Sequence, residues 1–435
     1  MKHISRTPWW LIAGLAVLLA VTALVYTPGL GGPPLLDDES VLLPLMALDP
    51  DAWRDWLADE ITTERGHLSR PVSMATFLAN RVLQGTDLRY WKATNVLLHL
   101  LTGVLVFLLT LRLAAPDPRS GTDRAAQGWL ALLVAGLWLL HPLQVSTVLY
   151  TVQRMAQLST LFIFAGLLVY VAGRQRQLAQ TAGGWLLIAL AFLLFLPLAV
   201  LSKENGVLLP VLALLAEVML FRFRGDGRTR RGLVSLYLLV LALPAVTVLG
   251  YLLVNFETAI LAGYADRAFT ATERIMTQFR VLVYYLYQLV LPLQGNMGFF
   301  HDDFTVSRGL LDPPGTLPAA LFIAGLIAAA IAARRRSVLP ALGVLFFFLG
   351  HALEASFVSL ELMFEHRNYL PAYGIFLCLA VLLRAVLRDR RMFRVAGSIV
   401  LVVMAGLTAI RADTWGSYET FYAHAWRAHP ESSRV

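Results

Sequence analysis

The chain has 435 residues, of which 58% are hydrophobic and only 15% are charged. A soluble globular domain is nearer half apolar and a quarter charged, so this composition excludes an ordinary soluble protein. The net charge of +8 comes from basic residues dispersed between apolar runs, which argues against a nucleic-acid partner. The single cysteine, Cys378, lies in an apolar run and excludes an intrachain disulfide.

The first apolar run, from Pro8 to Tyr26, begins behind the basic residues Lys2 and Arg6. No small-residue cleavage site follows it, and the next segment, TPGLGGPP at 27–34, is typical of a rigid turn. We therefore interpret this run as an uncleaved first membrane span with the N-terminus in the cytoplasm.

Apolar stretches recur along the chain at lengths suited to a hydrocarbon core about 30 Å thick. They predict eleven membrane spans, at 8–27, 93–113, 127–147, 152–172, 184–201, 205–222, 232–253, 317–333, 338–353, 371–387 and 394–410. Arginine and lysine collect in the segments that this scheme places inside, as the positive-inside rule requires. The sequence thus predicts an all-α polytopic membrane domain over 1–410. A short amphipathic helical tail at 411–435 would follow it on the periplasmic side.

Two of the outer segments are too long to be simple turns. The first, 28–92, contains an apolar stretch from Pro71 to Gln84 that is too short to cross the bilayer. The second, 254–316, contains an aromatic-rich stretch from Phe279 to Leu293. Counting this stretch as a span would place the three arginines at 334–336 on the outer side of the membrane, against the positive-inside rule. We interpret both stretches as interfacial or re-entrant helices.

Three consecutive carboxylates, Asp37, Asp38 and Glu39, follow the first span by about ten residues. Ionisable groups at span ends cost several kcal/mol unless they are paired, so they are candidate functional residues by default. A turn that served only solubility would have little reason to carry three acids shortly after two prolines beside the membrane. We predict that this cluster contains the catalytic carboxylate.

Further polar residues collect in the same outer segments. They are Arg70, His99, His141, Arg154, Lys203, Glu204, His301, Asp302, Asp303, Glu365, His366, Arg367 and Tyr369. Some also have a structural interpretation: Arg70 as an anchor to lipid headgroups, His99 and His141 as hydrogen-bonding groups in the bundle. Lys203 with Glu204 could form a hairpin ion pair. The triplet at 301–303 resembles metal ligands, but three adjacent residues rarely point at one ion. We predict no metal site there, and a divalent cation stays open as a cofactor.

Transfer of a sugar from a lipid phosphate would use both kinds of residue. The planar fork of arginine binds phosphate, and cations offset the charge that grows as the sugar leaves. A carboxylate is needed to take the proton of the acceptor hydroxyl. Arg154, Lys203 and Arg367, facing Asp37 and Asp38 across an outer cavity, would supply both functions.

With these residues in view, the chain resembles the C-type (GT-C) polytopic glycosyltransferases. It is most similar to the bacterial relatives of the protein O-mannosyltransferases whose membrane part precedes tetratricopeptide repeats. The matching pieces, in order between residues 36 and 374, are LLDDES, SRPVSMATFLAN, NVLLHLL, HPLQVSTVLYTVQRMAQLSTLF, LSKENGVLLP, FFHDDF and FEHRNYLPAYG. Each piece is weakly specific, and their order together with the topology carries the resemblance.

The resemblance implies an inverting transfer on the periplasmic face of a bacterial inner membrane. The donor would be a sugar on polyprenyl phosphate, and the acceptor a hydroxyl of a periplasmic protein or envelope glycan. No full tetratricopeptide array follows residue 411, so another partner or a different acceptor is expected.

The family's catalytic base is an acid of the first outer loop, which maps onto Asp37 or Asp38. The pair Asp38 and Glu39 looks closer to the family's pattern and favours Asp38, with Asp37 orienting it or holding a cation. Arg154 and Lys203 map onto the residues that contact the donor phosphate. The family's late outer-loop motif maps onto His366, Arg367 and Tyr369, with Arg367 also on the phosphate.

Two alternatives stay open. An oligosaccharide ligase or polymerase would use a diphosphate-linked donor, and mass spectrometry of the product would show a block of sugars instead of one. A transporter or flippase for a lipid-linked sugar would show inverted repeats and polar residues at the bilayer midplane. This sequence shows no repeat, and its polar residues crowd the outer ends of the spans. A non-enzymatic assembly factor would leave the acids unexplained.

Overall fold

The computed structural model describes residues 8–49, 52–56, 70–114 and 124–434, and these form helices and loops with no strand among them. Lys2, Arg6 and much of the first outer segment lie outside the described residues. The helices are α1 (Trp9–Tyr26), α2 (Asp37–Met46), α3 (Pro71–Gln84), α4 (Leu88–Leu113), α5 (Arg124–Leu140), α6 (Val145–Val148), α7 (Arg154–Leu178), α8 (Gly184–Leu190), α9 (Leu196–Val200), α10 (Leu208–Ala216), α11 (Gly227–Tyr237), α12 (Leu243–Val254), α13 (Ala271–Val290), α14 (Thr316–Ala333), α15 (Val338–Gly350), α16 (Ala372–Val386), α17 (Arg390–Thr414) and α18 (Tyr418–Ala428).

Each predicted span coincides with an apolar helix, or a run of helices, in the described part of the chain. Seven of these segments are long and apolar enough to cross a membrane. An eighth is formed if α5 and the segment Pro142–Val148, which are bent by 47° from each other, are one span. Three more, Gly184–Val200, Val338–Gly350 and Ala372–Val386, are apolar but shorter. The chain is thus a polytopic helical protein with seven to eight candidate spans. The other three spans and the orientation of the termini stay predictions.

The bend after α5 has a local cause in the dipeptide His141-Pro142. Proline has no N–H to donate and disfavours helical backbone in the residue before it. His141 accordingly has extended backbone, with φ −76° and ψ 128°. The chain then runs through short helical turns to Gln153 before α7 begins. This break carries Tyr150 and Val152 to the end of the bundle where the acidic cluster lies.

Contacts between loops place the predicted outer segments together at one end of the bundle, here called the loop end. The backbone N–H of Asp37 donates to Tyr150 Oη at 2.9 Å. Ser73 Oγ, in α3, donates to the carbonyl of Ser202 at 2.8 Å. The segments that follow α1, α5 and α9 therefore meet.

Helix α13 contains most of the second predicted interfacial stretch and is strongly amphipathic. Its capping box pairs Thr270 with Glu273 and fixes where the helix starts. Its buried face packs on the loop before α16, where Arg274 donates to the carbonyls of Glu354 (2.7 Å) and Leu360 (3.1 Å). The helix thus belongs to the loop end, and its depth relative to the membrane stays a prediction.

Candidate active site at the loop end

Asp38 is the buried member of the acidic triplet. Its side chain is 0% exposed, and its carboxylate accepts hydrogen bonds from the backbone N–H groups of Val152 (2.6 Å) and Leu35 (3.2 Å). Burial raises the pKa of Asp38, and these two hydrogen bonds and the charge of Lys92 oppose part of that rise. Asp38 therefore ties the start of α2 to the segment after the bent span.

Asp37 and Glu39 are exposed, in contrast to Asp38. All three acids occupy the first turn of α2, where the positive end of the helix dipole favours carboxylates. Tyr150 Oη accepts from the backbone of Asp37, and burial raises the pKa of this hydroxyl, as do the charges of Asp37 and Asp38. Asp37 is therefore an exposed acid that lies beside the neutral hydroxyl of Tyr150.

The backbone entering α2 is strained at Leu36, which has φ 42° and ψ −112°. Positive φ is unfavourable for a branched side chain and costs on the order of 1–3 kcal/mol. Such strain persists only where the surroundings enforce it, and here Asp38 and Asp37 hold both sides of the turn through Val152 and Tyr150. The geometry of the triplet is therefore set by tertiary contacts.

Arg154 lies at the centre of a polar junction between three helices. Its guanidinium donates to Asn95 Oδ1 (2.8 Å) and to the carbonyls of Thr76 (3.0 Å) and Trp91 (2.8 Å). It also contacts Asn80 and is 0% exposed. These contacts join α3, α4 and α7. The predicted contact between Arg154 and the donor phosphate stays a prediction, and the geometry gives this residue a structural role.

Lys203 and Arg367 line a small cavity of about 10 Å³, room for about one water molecule, at the loop end together with Glu354, His366 and Tyr369. Lys203 Nζ lies 3.5 Å from Glu354 Oε1. Burial lowers the pKa of Lys203, while the charge of Glu354 opposes that shift. The structure thus brings together two of the three predicted phosphate contacts.

Arg367 is held by hydrogen bonds from its Nη1 to the backbone. Nη1 donates to the carbonyls of Glu361 (2.8 Å) and Leu362 (3.2 Å), and the guanidinium lies over Phe364. Next to it, the ring of His366 is buried. Burial and the charges of Lys203 and Arg367 lower the pKa of His366 well below its usual range. His366 therefore lines the cavity as an uncharged side chain.

The cationic cavity adjoins the acidic cluster. The ring of His366, which lines the cavity, lies 6.2 Å from the ring of Tyr150, and Tyr150 contacts Asp37. Thr147, on the short α6, donates to the carbonyl of His366 at 3.5 Å. Tyr150 and His366 thus link the acidic cluster to the residues that line this cavity.

The ion pairs near Lys203 differ from the hairpin pair that the sequence suggested. Glu204 accepts both Nε (2.9 Å) and Nη2 (3.0 Å) of Arg70, so its partner is Arg70 and the partner of Lys203 is Glu354. This bidentate pair joins α3 to the loop before α10. Arg70 is only half-buried.

His99, His141 and Tyr369 are buried within the bundle. His99 Nδ1 lies 2.9 Å from Tyr369 Oη, and its Nε2 lies 3.0 Å from the carbonyl of Leu139. His141 Nδ1 accepts the backbone N–H of Leu143 at 3.2 Å. These contacts match the structural interpretation of both histidines.

The triplet at 301–303 turns its side chains toward different partners. Asp303 lies 2.8 Å from His429 Nδ1, and Asp302 accepts hydrogen bonds from Ser432 and Ser433. His301 lies 3.7 Å from Glu365. Within the described residues, no group of three or more His, Cys, Asp and Glu side chains could hold a metal ion.

Glu365 is the centre of a second buried network. It accepts from the backbone of Gly298 (2.9 Å) and from Gln288 (3.2 Å), and it pairs with Arg411. Arg411 lies in the last turn of α17, which runs to Thr414, and not in the tail where the sequence placed it. The network fastens the late outer loop to the end of the last apolar helix.

Four residues that shape this end were missed at the level of sequence: Lys92, Tyr150, Glu354 and Arg411. Three of them are charged residues at the end of an apolar run, and that position alone is a signal for function or pairing. Tyr150 carries no such signal, because tyrosine is ordinary at a membrane interface. Its importance comes from its two neighbours, Asp37 and His366.

Comparison with known proteins adds one relative. No family model matches the chain, and no solved structure matches it. A protein O-mannosyl-transferase of Caenorhabditis elegans is 21% identical over 450 residues, which cover 98% of this chain and 59% of the relative. The chain thus spans about three-fifths of the length of this relative. The predicted likeness to O-mannosyltransferases is confirmed, while the C-type fold and the association with tetratricopeptide repeats stay predictions.

Proposed function

We propose that this chain is a membrane glycosyltransferase that moves one sugar from a polyprenyl-phosphate donor to a hydroxyl of a protein. The observation that carries the proposal is the pair of cations, Lys203 and Arg367, that line one cavity together with His366. The ring of His366 lies 6.2 Å from the ring of Tyr150, and Tyr150 contacts the exposed Asp37. The similarity to a protein O-mannosyl-transferase along almost the whole chain supports the same class of reaction.

In this proposal the donor phosphate binds between Lys203 and Arg367, whose side chains must first move apart because the cavity of about 10 Å³ has room for about one water molecule. Nη1 of Arg367 donates to two backbone carbonyls, and the residue lines the cavity. Lys203 contributes the second positive charge to the phosphate, and it also pairs with Glu354. Two cations suit a phosphate whose negative charge increases as the sugar leaves.

We assign the general base to Asp37 and a positioning role to Asp38. A base must reach the acceptor proton, directly or through one water molecule. Asp37 is exposed, whereas both oxygens of Asp38 are occupied by backbone N–H groups of Val152 and Leu35. This departs from the sequence-based preference for Asp38.

The step breaks the bond between the sugar C1 and the phosphate oxygen, and the electron pair of that bond goes to the phosphate. The acceptor oxygen forms a new bond to C1 from the opposite side, which inverts the anomeric centre. The acceptor proton goes to Asp37. Lys203 and Arg367 stabilise the departing phosphate.

The test of the function uses the full chain in lipid nanodiscs with polyprenyl-phosphate mannose and a serine- and threonine-containing acceptor protein. Mass spectrometry is expected to show one hexose added per modified site. Addition of a preformed block would assign the chain to the ligase alternative. No transfer, with movement of labelled lipid between leaflets of proteoliposomes, would assign it to the flippase alternative.

Replacing Arg367 with glutamine is expected to raise the KM for the donor about 10- to 100-fold. The loss corresponds to charge-assisted hydrogen bonds worth about 1.5–3 kcal/mol. Lysine at the same position keeps the charge but not the fork, so its effect should be smaller. Glutamine at the exposed Arg427 is the matched control. An unchanged donor KM in folded Arg367→Gln protein would remove Arg367 from the phosphate site.

Donor affinity is also expected to depend on pH through Lys203. Burial lowers the pKa of this lysine, so it loses its charge at a lower pH than a free lysine does. The value of kcat/KM at low donor concentration should therefore fall with rising pH already below the ordinary lysine pKa of about 10.4. Arginine stays charged over this range, so Lys203→Arg should flatten the alkaline limb. An identical alkaline limb in wild type and Lys203→Arg would contradict the assignment.

A further inference from the structure

The cationic cavity already contains a carboxylate, that of Glu354. This residue lies in the loop that follows α15 and is 5% exposed. It lines the cavity together with Lys203 and Arg367, and its Oε1 lies 3.5 Å from Lys203 Nζ. The side chain of Asn205, which also lines the cavity, forms a hydrogen bond with it. An anion of the protein itself thus lies among the groups that we assign to the donor phosphate.

The charges that line this cavity depend on one another. Burial alone would raise the pKa of the Glu354 carboxyl, yet the charges of Lys203 and Arg367 and the hydrogen bond with Asn205 hold that pKa below its usual range. Burial and the charge of Arg367 lower the pKa of Lys203, and the charge of Glu354 opposes them. Two cations in a small buried space need an opposite charge. Glu354 is therefore the counterion of this pair.

The donor phosphate and Glu354 compete for the same cations. Lysine and arginine bind the anionic oxygens of carboxylates and of phosphates in the same way. The cavity of about 10 Å³ has room for about one water molecule, so a phosphate does not fit beside the carboxylate. Binding of the phosphate therefore requires that the carboxylate leaves the cavity.

The backbone of Glu354 is fixed, which leaves its side chain as the part that moves. The carbonyl of Glu354 accepts Nη2 of Arg274 at 2.7 Å, and the carbonyl of Leu360 accepts Nε of the same arginine at 3.1 Å. Tyr264 Oη donates to the carbonyl of Phe357 at 2.6 Å. Because a glutamate side chain changes rotamer without its backbone, the carboxylate can leave the cavity while the loop stays in place.

We propose that Glu354 is a specificity-determining residue of the donor site: it pairs with Lys203 and Arg367 until the donor phosphate displaces it, and it thereby excludes free phosphate. The displacement costs the same free energy for every phosphate ligand. A lipid-linked sugar phosphate offsets this cost through contacts of its sugar and its isoprenoid chain, whereas inorganic phosphate has no such contacts. This inference deepens the proposed function and rests on its assignment of the phosphate to Lys203 and Arg367.

The test measures equilibrium binding of two probes, inorganic phosphate and citronellyl phosphate, to the full chain in a nonionic detergent. Glu354→Gln keeps the size of the side chain and removes its charge. We expect both probes to bind about tenfold more tightly to this variant than to wild type, because apparent affinity rises with the fraction of molecules whose site is open. Glu257→Gln, at an exposed glutamate outside the cavity, is the matched control and should bind both probes as wild type does. Unchanged or weaker binding to folded Glu354→Gln would overturn the proposal.

Two further variants keep the test decisive. Glu354→Asp retains the charge but withdraws it by one methylene group, so it should bind both probes several-fold more tightly than wild type even if the glutamine variant does not fold. Wild-type affinity in folded Glu354→Asp would contradict the displacement. Lys203→Gln, added to Glu354→Gln, should abolish the gain, because the gain depends on the lysine that is released. A gain that persists without Lys203 would place the probes elsewhere and overturn the proposal.

Transfer assays separate this inference from the proposed function. Tighter binding of both probes by Glu354→Gln, in a chain that transfers no sugar, would retain the displacement of Glu354 and refute the glycosyltransferase. Sugar transfer that inorganic phosphate inhibits equally in wild type and Glu354→Gln, with the same donor KM, would retain the enzyme and refute the role of Glu354.

Discussion

Asparagine in place of Asp37 is expected to reduce sugar transfer about 10²- to 10⁴-fold, the usual contribution of a general base. The side chain is exposed at the start of α2, so the amide should leave the fold and its thermal unfolding temperature unchanged. The loss should appear in kcat with little change in the KM of the donor, because the phosphate contacts belong to Lys203 and Arg367. Initial rates with labelled donor, alongside thermal unfolding in detergent, measure both quantities.

Asp38→Asn is the matched comparison one residue away. The buried carboxylate accepts from two backbone N–H groups, and an amide can accept through only one of its atoms. One buried N–H would be left unpaired, at a cost of about 1–3 kcal/mol of unfolding free energy. We expect lower stability together with partial activity. Full activity in Asp37→Asn with none in well-folded Asp38→Asn would return the base to Asp38.

The second large effect is expected from Arg154→Lys. Arginine satisfies acceptors on two neighbouring helices at once, including Asn95 and the carbonyls of Thr76 and Trp91. Lysine has no fork to reach all of them, so several buried oxygens would lose their donor. With about 1–3 kcal/mol for each unsatisfied group, the loss of stability should be on the order of 3 kcal/mol or more.

The outcome distinguishes two roles for Arg154. A structural residue should show a lower unfolding temperature in detergent while the folded fraction keeps its donor KM. A phosphate ligand should show the reverse, with a raised donor KM and unchanged stability. Arg112→Lys, near the other end of α4, is a suitable control because Arg112 donates to a partly exposed glutamine, Gln175, rather than to a buried junction.

Much of the helical layout could be predicted because hydropathy is a local property. Inside a bilayer the backbone N–H and C=O groups must bond to each other, so an apolar run that lies in the membrane forms a helix. The bend at His141-Pro142 follows from proline itself. The three shorter segments mark the limit of this reasoning, since composition cannot distinguish a short crossing helix from one that only dips into the bilayer.

Partner choice could not be predicted in the same way. Lys203 and Glu204 are neighbours in sequence, yet Lys203 pairs with Glu354 and Glu204 with Arg70. Arg154 has the residue type of a phosphate ligand, yet its donors are used by Asn95 and backbone carbonyls. Such pairings depend on which helices pack together, and no local pattern specifies that.

The sequence by itself determined a many-helix membrane protein with its polar residues crowded at the span ends and a likeness to O-mannosyltransferases. The many-helix architecture follows from the apolar runs, because the lipid excludes unpaired backbone polar groups. The likeness follows from the order of the short motifs. Only the tertiary structure decided which acid of the triplet is buried and which acids are accessible. Asp38 is buried because the N–H of Val152, 114 residues away, reaches its carboxylate, whereas Asp37 in the same turn is left exposed beside Tyr150.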